Sequence, residues 1–105
     1  MLYRFGDISV DTLRAEVCRA GKNVPLRHKS FDVLVYLAQR PGRVVTKGEI
    51  LDTVWGDRVV TEGSLKHCLM EVRAAIGDHG HELIRTIPRR GYMLDTPVTR
   101  EALAE

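Results

Sequence analysis

The stretch from Thr61 to Ile76, TEGSLKHCLMEVRAAI, constrains the fold of this chain more than any other. Leu65, Leu69, Val72 and Ile76 recur at spacings of four, three and four, the period of an α-helix, so they share one face. Gly63, His67, Met70, Glu71 and Ala74 fall on the opposite face, flanked by Ser64 and Lys66. That outer face is small, polar and adaptable, without the dense mixed charge of an ordinary solvated surface. Thr61 can cap the helix, because its hydroxyl accepts from an early free backbone N–H. Gly77 supplies the expected stop. At ~1.5 Å per residue the helix is about 22 Å long.

The remaining residues make a single domain around it. The chain has 105 residues, is 44% hydrophobic and 29% charged, and can bury one modest core without staples. Its net charge is only +2, so an anionic partner must be met by local charge, and IRTIPRRGY is the place to look. Cys18 and Cys68 form neither a disulfide framework nor a CxxC site and read as small hydrophobes, which fits a reducing, cytoplasmic setting. The longest apolar run, Val33 to Ala38, is far too short to span a bilayer, so no membrane contact is expected of this segment. Met1 leads into YRF without the apolar core of a signal peptide.

Residues 1–25 read as short strands, LYRFG, DISVD, AEVCRAG and KNVPL, each with apolar residues at about every second position. Gly6-Asp7, Asp11-Thr12 and Ala20-Gly21-Lys22-Asn23 supply the turns. From His28 to Arg40 the period becomes helical, with Phe31, Leu34, Val35 and Ala38 on one face, Leu37 beside it, and Pro41-Gly42 as terminator. Val44-Val45 adds a short extended piece. Thr46-Lys47-Gly48-Glu49 matches the capping box and opens a second helix carrying Ile50, Leu51, Val54 and Trp55, closed by Gly56. A loop, DRVV, leads into the long helix. After it, Asp78-His79-Gly80-His81 is a turn, and LIRTIP and GYMLD form a hairpin with Arg89-Arg90 at its tip. Thr99 to Glu105 reads as a frayed tail.

Two helices joined by a short loop, the second with an unusual outer face, suggest a helix-turn-helix, and the hairpin makes it winged. The fold class is therefore α+β: a small N-terminal antiparallel sheet, three helices and a C-terminal β-hairpin wing. The domain is expected over residues 1–96, with 97–105 as tail or linker. The third helix is expected to lie in a DNA major groove.

VPLRHKSFDVLVYLAQRPGRVVTKGEILDTVW, VVTEGSLKHCLMEVRAAIGD and IRTIPRRGY, in that order, resemble the winged-helix DNA-binding domain of OmpR/PhoB-type transcriptional regulators. The TIPRRGY hairpin and the VVTE segment look most like the CadC/ToxR-like branch. The likeness covers about residues 2–96. It implies that the third helix enters the major groove through Gly63, Ser64, Lys66, His67, Met70, Glu71 and Arg73, and that Arg89, Arg90 and Tyr92 of the wing reach the adjacent minor groove. It also implies that the loop of Asp57, Arg58, Val59 and Val60 meets RNA polymerase. Relatives often bind tandem repeats, which would make a tandem dimer on DNA.

The sequence departs from the family pattern in two places. Arg27-His28 stands where the family often begins its first helix with Thr-Pro, so that helix has a weaker N-cap or Ser30 caps a shorter one. Met70 and Glu71 occupy positions where response regulators often carry arginine, so the operator cannot be read from the sequence. No receiver or sensor segment is present to supply the input signal.

Each contact has a plainer alternative. Arg89-Arg90 could be a solvated turn, yet arginine suits a narrow, negative minor groove. His67, Met70 and Glu71 could be ordinary exposed helix; functionally, Glu can accept from cytosine N4 and Met can press on a thymine methyl. Lys66, Arg73 and Ser64 suit phosphates at the groove lip, while Arg73 could instead pair with Glu62 or Glu71. Trp55, Phe31 and Tyr92 are most simply core, with the Tyr92 hydroxyl at the surface. His67, Cys68, His79 and His81 lack the closed four-ligand pattern of structural zinc, so no metal is expected. No cofactor is implied. No GxSxG, Walker or HExxH motif occurs, so an enzyme is a distant third reading. The leading reading is sequence-specific double-stranded DNA binding by a bacterial-type regulator; the alternative is a winged-helix module that contacts RNA polymerase or another protein.

Overall fold

The structure, a computed structural model, describes residues 1–56 and 61–102. Four short strands come first: β1 (Leu2–Phe5), β2 (Ile8–Asp11), β3 (Glu16–Arg19) and β4 (Lys22–Val24). They form an antiparallel meander in which Tyr3, Val10, Val17 and Val24 stand opposite one another in register. The alternation seen in the sequence is the reason: Tyr3, Phe5, Ile8, Val10 and Val17 all point into the core. Ala20 and Gly21 join β3 to β4 with φ of 52° and 80°, the left-handed pair that a two-residue hairpin turn needs.

Three helices follow: α1 (His28–Ala38), α2 (Lys47–Trp55) and α3 (Glu62–Ile76). Between the first two lies β5 (Val45–Thr46), and after the third come β6 (Ile84–Ile87) and β7 (Gly91–Leu94). Strands β5, β7 and β6 form a second sheet in that order, with the β6–β7 hairpin as the wing. Leu65, Leu69, Val72 and Ile76 of α3 are all buried, against Val33, Leu34, Leu37 and Ala38 of α1, Ile50 and Val54 of α2, and Ile84 and Leu94 of the wing. Cys68 is buried with them, and Trp55 packs at the edge of the core.

The helix ends follow local chemistry. Thr46 caps α2 in a reciprocal capping box: its hydroxyl accepts from the Glu49 N–H at 3.1 Å, and its own N–H donates to the Glu49 carboxylate at 3.0 Å. Thr61 accepts from the Ser64 N–H at 3.3 Å. Gly77, at φ 73°, closes α3: its N–H donates to the Ala74 carbonyl and the Asp78 N–H to that of Arg73. At α1 the N-cap is Arg27, which makes no side-chain cap bond, while Ser30 lies inside the helix and is buried. The weaker cap is therefore the one present, and Ser30 does not start a shorter helix.

One expectation is corrected. Thr99 does not open a frayed tail: β8 (Thr99–Glu101) pairs antiparallel with β1, with Leu2 opposite Glu101 and Arg4 opposite Thr99. The first sheet thus has five strands in the order β4-β3-β2-β1-β8. All three β8 side chains are exposed, so no apolar alternation marked the strand; backbone pairing alone makes it. No helix among the described residues is long and apolar enough to cross a membrane.

Candidate nucleic-acid interface

The face of α3 opposite its core stripe is open. Gly63, Ser64, Lys66, His67 and Met70 are exposed, and Met70 keeps 66% of its surface. It is the one large apolar side chain exposed on α3 among the described residues.

The two remaining expected contacts on α3 are turned inward. The Glu71 carboxylate accepts from Arg27 Nε at 2.9 Å and from Ser30 Oγ at 2.8 Å. The Arg27 hydrogen bond, then that of Ser30, hold its carboxyl below the usual range despite some desolvation, and the same carboxylate raises the Arg27 guanidinium. His67 joins the cluster, with Nε2 against Arg27 Nη2 and 3.8 Å from Glu71 Oε1. The cause lies in α1. Its first turn carries His28 and Lys29 and no acidic residue, the wrong sign for a helix N-terminus. Glu71 brings the missing negative charge across from α3. Glu71 thus ties α3 to α1 through Arg27 and Ser30.

Arg73 likewise points toward the wing. Its Nη2 donates to the Ile84 carbonyl at 2.7 Å and to Thr86 Oγ1 at 3.0 Å, and its Nε to the same carbonyl at 3.2 Å. Burial draws its pKa down from the ordinary value, with Asp78 and Tyr92 opposing, and a guanidinium still stays charged. Glu71, one of its two suggested ion-pair partners, is taken by Arg27, and the side chain of the other, Glu62, lies outside the described ones. Arg73 instead clamps α3 to β6. Asp78 completes that joint. It is buried, and its carboxylate accepts from the N–H groups of Glu82 at 2.8 Å, Leu83 at 3.1 Å and Ile84 at 2.8 Å. Burial pushes its carboxyl up, but the donors from Ile84, Leu83 and Glu82, with Arg73 nearby, outweigh it and hold the group below its ordinary value.

At the wing, Pro88, Arg89 and Arg90 form the turn between β6 and β7. Arg89 sits at φ 64°, and both arginines are exposed with no partner among the described residues. Tyr92 follows its plainer reading: only 4% exposed, it lies in β7 opposite Val45 with its ring in the core. Period-two alternation from the tip carries it inward. The expected polymerase-contact loop, Asp57 to Val60, lies outside the described residues. Among the described residues no group of His, Cys, Asp and Glu side chains comes together as metal ligands.

Of the ten expected DNA contacts, the structure leaves Gly63, Ser64, Lys66, His67, Met70, Arg89 and Arg90 on the surface and assigns Glu71, Arg73 and Tyr92 to internal contacts. Sequence reasoning missed Arg27, Ser30, Asp78 and Thr86 as the residues that set the helix and wing. The uncapped, basic start of α1 was the one visible signal that a distant acid had to approach it.

The profile of the transcriptional regulatory protein C-terminal family matches residues 21–94. The transcriptional activator CadC of Escherichia coli (strain K12) is 32% identical over 98 residues, 90% of this chain and 19% of that protein. The chain thus spans about a fifth of that relative's length. The solved DNA-binding domain of E. coli CadC superposes with a TM-score of 0.82 at 31% identity, covering 93% of this chain and 94% of that one. The Klebsiella pneumoniae RstA DNA-binding domain, solved in complex with RstA box, gives 0.77 at 26% identity, covering 90% and 96%. A core stripe on α3, a wing pinned to it by Arg73 and Asp78, and matches over nearly the whole chain make one statement: this chain belongs to the transcriptional regulatory protein C-terminal family, the OmpR/PhoB-type winged-helix DNA-binding domains of transcription regulators.

Proposed function

We infer that this domain reads a specific double-stranded DNA sequence, with α3 in the major groove and the wing tip at the adjacent minor groove. The observation that carries the reading is the division of charge on α3. Its own acid and its half-buried arginine are engaged within the protein, while Lys66 and Met70 stay free on the exposed face and His67 lies exposed beside them at the edge of the Arg27–Glu71 cluster. The Arg27 guanidinium offsets the Glu71 carboxylate, so α3 carries less net repulsion toward phosphate than its sequence implies. Lys66, with the first-turn N–H groups of α3, fixes register on phosphates; His67 and Met70 meet base edges; Arg89 and Arg90 clamp the backbone. The mechanism is docking, without catalysis, in the cytoplasm. The Asp57–Val60 loop is assigned to contact with RNA polymerase, and two copies to tandem repeats, on the family resemblance.

Selection of bound duplexes from a random library tests this reading. Enrichment of one motif, with affinity that falls steeply with salt, is expected. A library that stays random after selection would remove sequence-specific recognition. Salt-insensitive capture of a polymerase subunit, with no enriched motif, would favour a protein-interaction module.

A further inference from the structure

A helix in a major groove and a wing in the next minor groove have one sugar-phosphate strand between them. That strand must cross the gap between α3 and β6–β7. The gap measures about 490 Å³ and is bordered by Lys66, Met70 and Arg73 on α3, by Thr86 on the wing, and by His79 and His81 of the connecting turn. Both histidines are exposed, and neither imidazole has a partner among the described residues. His81 is held at φ 54° by the turn that Asp78 organises, and the His81 N–H donates to the Asp78 carbonyl at 3.3 Å.

We propose that this gap seats the sugar-phosphate strand and that His79 and His81 are two further phosphate contacts, ionic only when protonated. This rests on the DNA-docking reading above. The charges around the imidazoles favour an anion. From α3 come Lys66 and Arg73; from β3, Arg19 reaches the end of the helix, donating to the Ala74 carbonyl at 3.4 Å. The Asp78 carboxylate is spent on three backbone N–H groups. Glu82, beside Gly80 at the outer edge of the turn, is the one free acid close by among the described residues. An imidazole gains its charge between about pH 5 and 8, and a phosphate beside it favours the charged form. Binding therefore takes up protons, and affinity rises on acidification.

The test is affinity for the selected duplex from pH 8 to pH 5.5 at several salt concentrations, for the parent chain and for His79→Gln with His81→Asn. Asparagine tolerates the left-handed backbone at position 81. The parent is expected to gain about tenfold for each unit by which the phosphate raises a histidine's pKa in the complex, and its salt slope to steepen by about 0.9 per imidazole charged. The double variant is expected to lose that rise and that steepening. A parent whose affinity is flat with pH, or a double variant that keeps the parental rise, would overturn the proposal while leaving DNA reading intact. A parent that binds no duplex at any pH would overturn the docking reading and this proposal together. Should the double variant fail to melt cooperatively, His79→Gln alone, outside the strained position, decides: it must lose part of the rise.

Discussion

Ser30 Oγ donates to Glu71 Oε1 at 2.8 Å, which sets a carboxylate of the third helix against the first turn of the first. Ser30 is 1% exposed while Glu71 is half-buried, so this bond sits at the edge of the core where α1 and α3 meet. It orients α3 about its own axis, and that orientation decides which residues face outward.

The first prediction concerns acid. The Glu71 carboxyl is held below its ordinary value by Arg27 and then Ser30. A depressed carboxyl contributes stability above its unfolded pKa, and that contribution is lost as pH falls through the folded pKa. Glu71→Gln should therefore melt lower than the parent at pH 7, with the gap closing below about pH 5. Thermal melts across pH check this; a gap independent of pH would mean that the carboxylate's charge is not what ties the helices. If the carboxylate serves only this tie, the variant should also select the parental DNA motif; a changed motif would assign Glu71 a base contact.

Leu69→Ala should damage folding. Leu69 is 1% exposed at the middle of α3. Loss of a buried leucine costs about 2–5 kcal/mol. For a domain of this size each kcal/mol lowers Tm by about 4–8 °C. An unchanged Tm would show that the helix phase is misassigned.

Asp78→Ala should loosen the wing. Three backbone N–H groups would lose their acceptor, and one buried unsatisfied donor costs about 1–3 kcal/mol. Amide hydrogen exchange should accelerate over residues 82–84 before it does in β1 to β4. Uniform acceleration across the chain would argue against a local joint.

Helix and wing should make separable contributions to binding. Arg89→Ala with Arg90→Ala keeps the same left-handed backbone at position 89 and removes two exposed charges. The salt slope should fall by about 0.9 for each phosphate no longer neutralised, with most of the motif preserved and some flanking A·T preference gone. Met70→Ala or His67→Ala should change preference at one base position, at about 1–3 kcal/mol, and keep the slope. Motif selection and a salt series on each variant decide the matter.

The three helices and the wing were legible because their signals are local. The capping box at Thr46 and Glu49, the stop at Gly77 and the stripe from Leu65 to Ile76 each act within a turn or two. What stayed hidden is long-range. Glu71 and Arg27 lie far apart in sequence, and nothing in either stretch names the other. Arg73 read as a surface cation because its acceptor is a main-chain carbonyl, which any residue at position 84 would supply. The core placement of Tyr92, by contrast, was legible, because a large aromatic on a strand is most simply buried. β8 has no apolar pattern, so a backbone ladder was its sole cue.

Gly91 has φ 156°, and a Cβ there would lie 1.9 Å from the Val45 carbonyl oxygen, so β5 and the wing approach as closely as backbones can. Its partner in the ladder is Thr46, the residue that caps α2. One threonine thus belongs to the wing's sheet and to the start of the helix-turn-helix at once. The wing's second strand cannot swing away from β5 without disturbing the residue that caps α2. The angle at which the two elements meet a duplex is consequently a property of the folded domain, settled before any DNA arrives. The entropy of ordering the wing's backbone is lost on folding, so association with a duplex does not have to supply it.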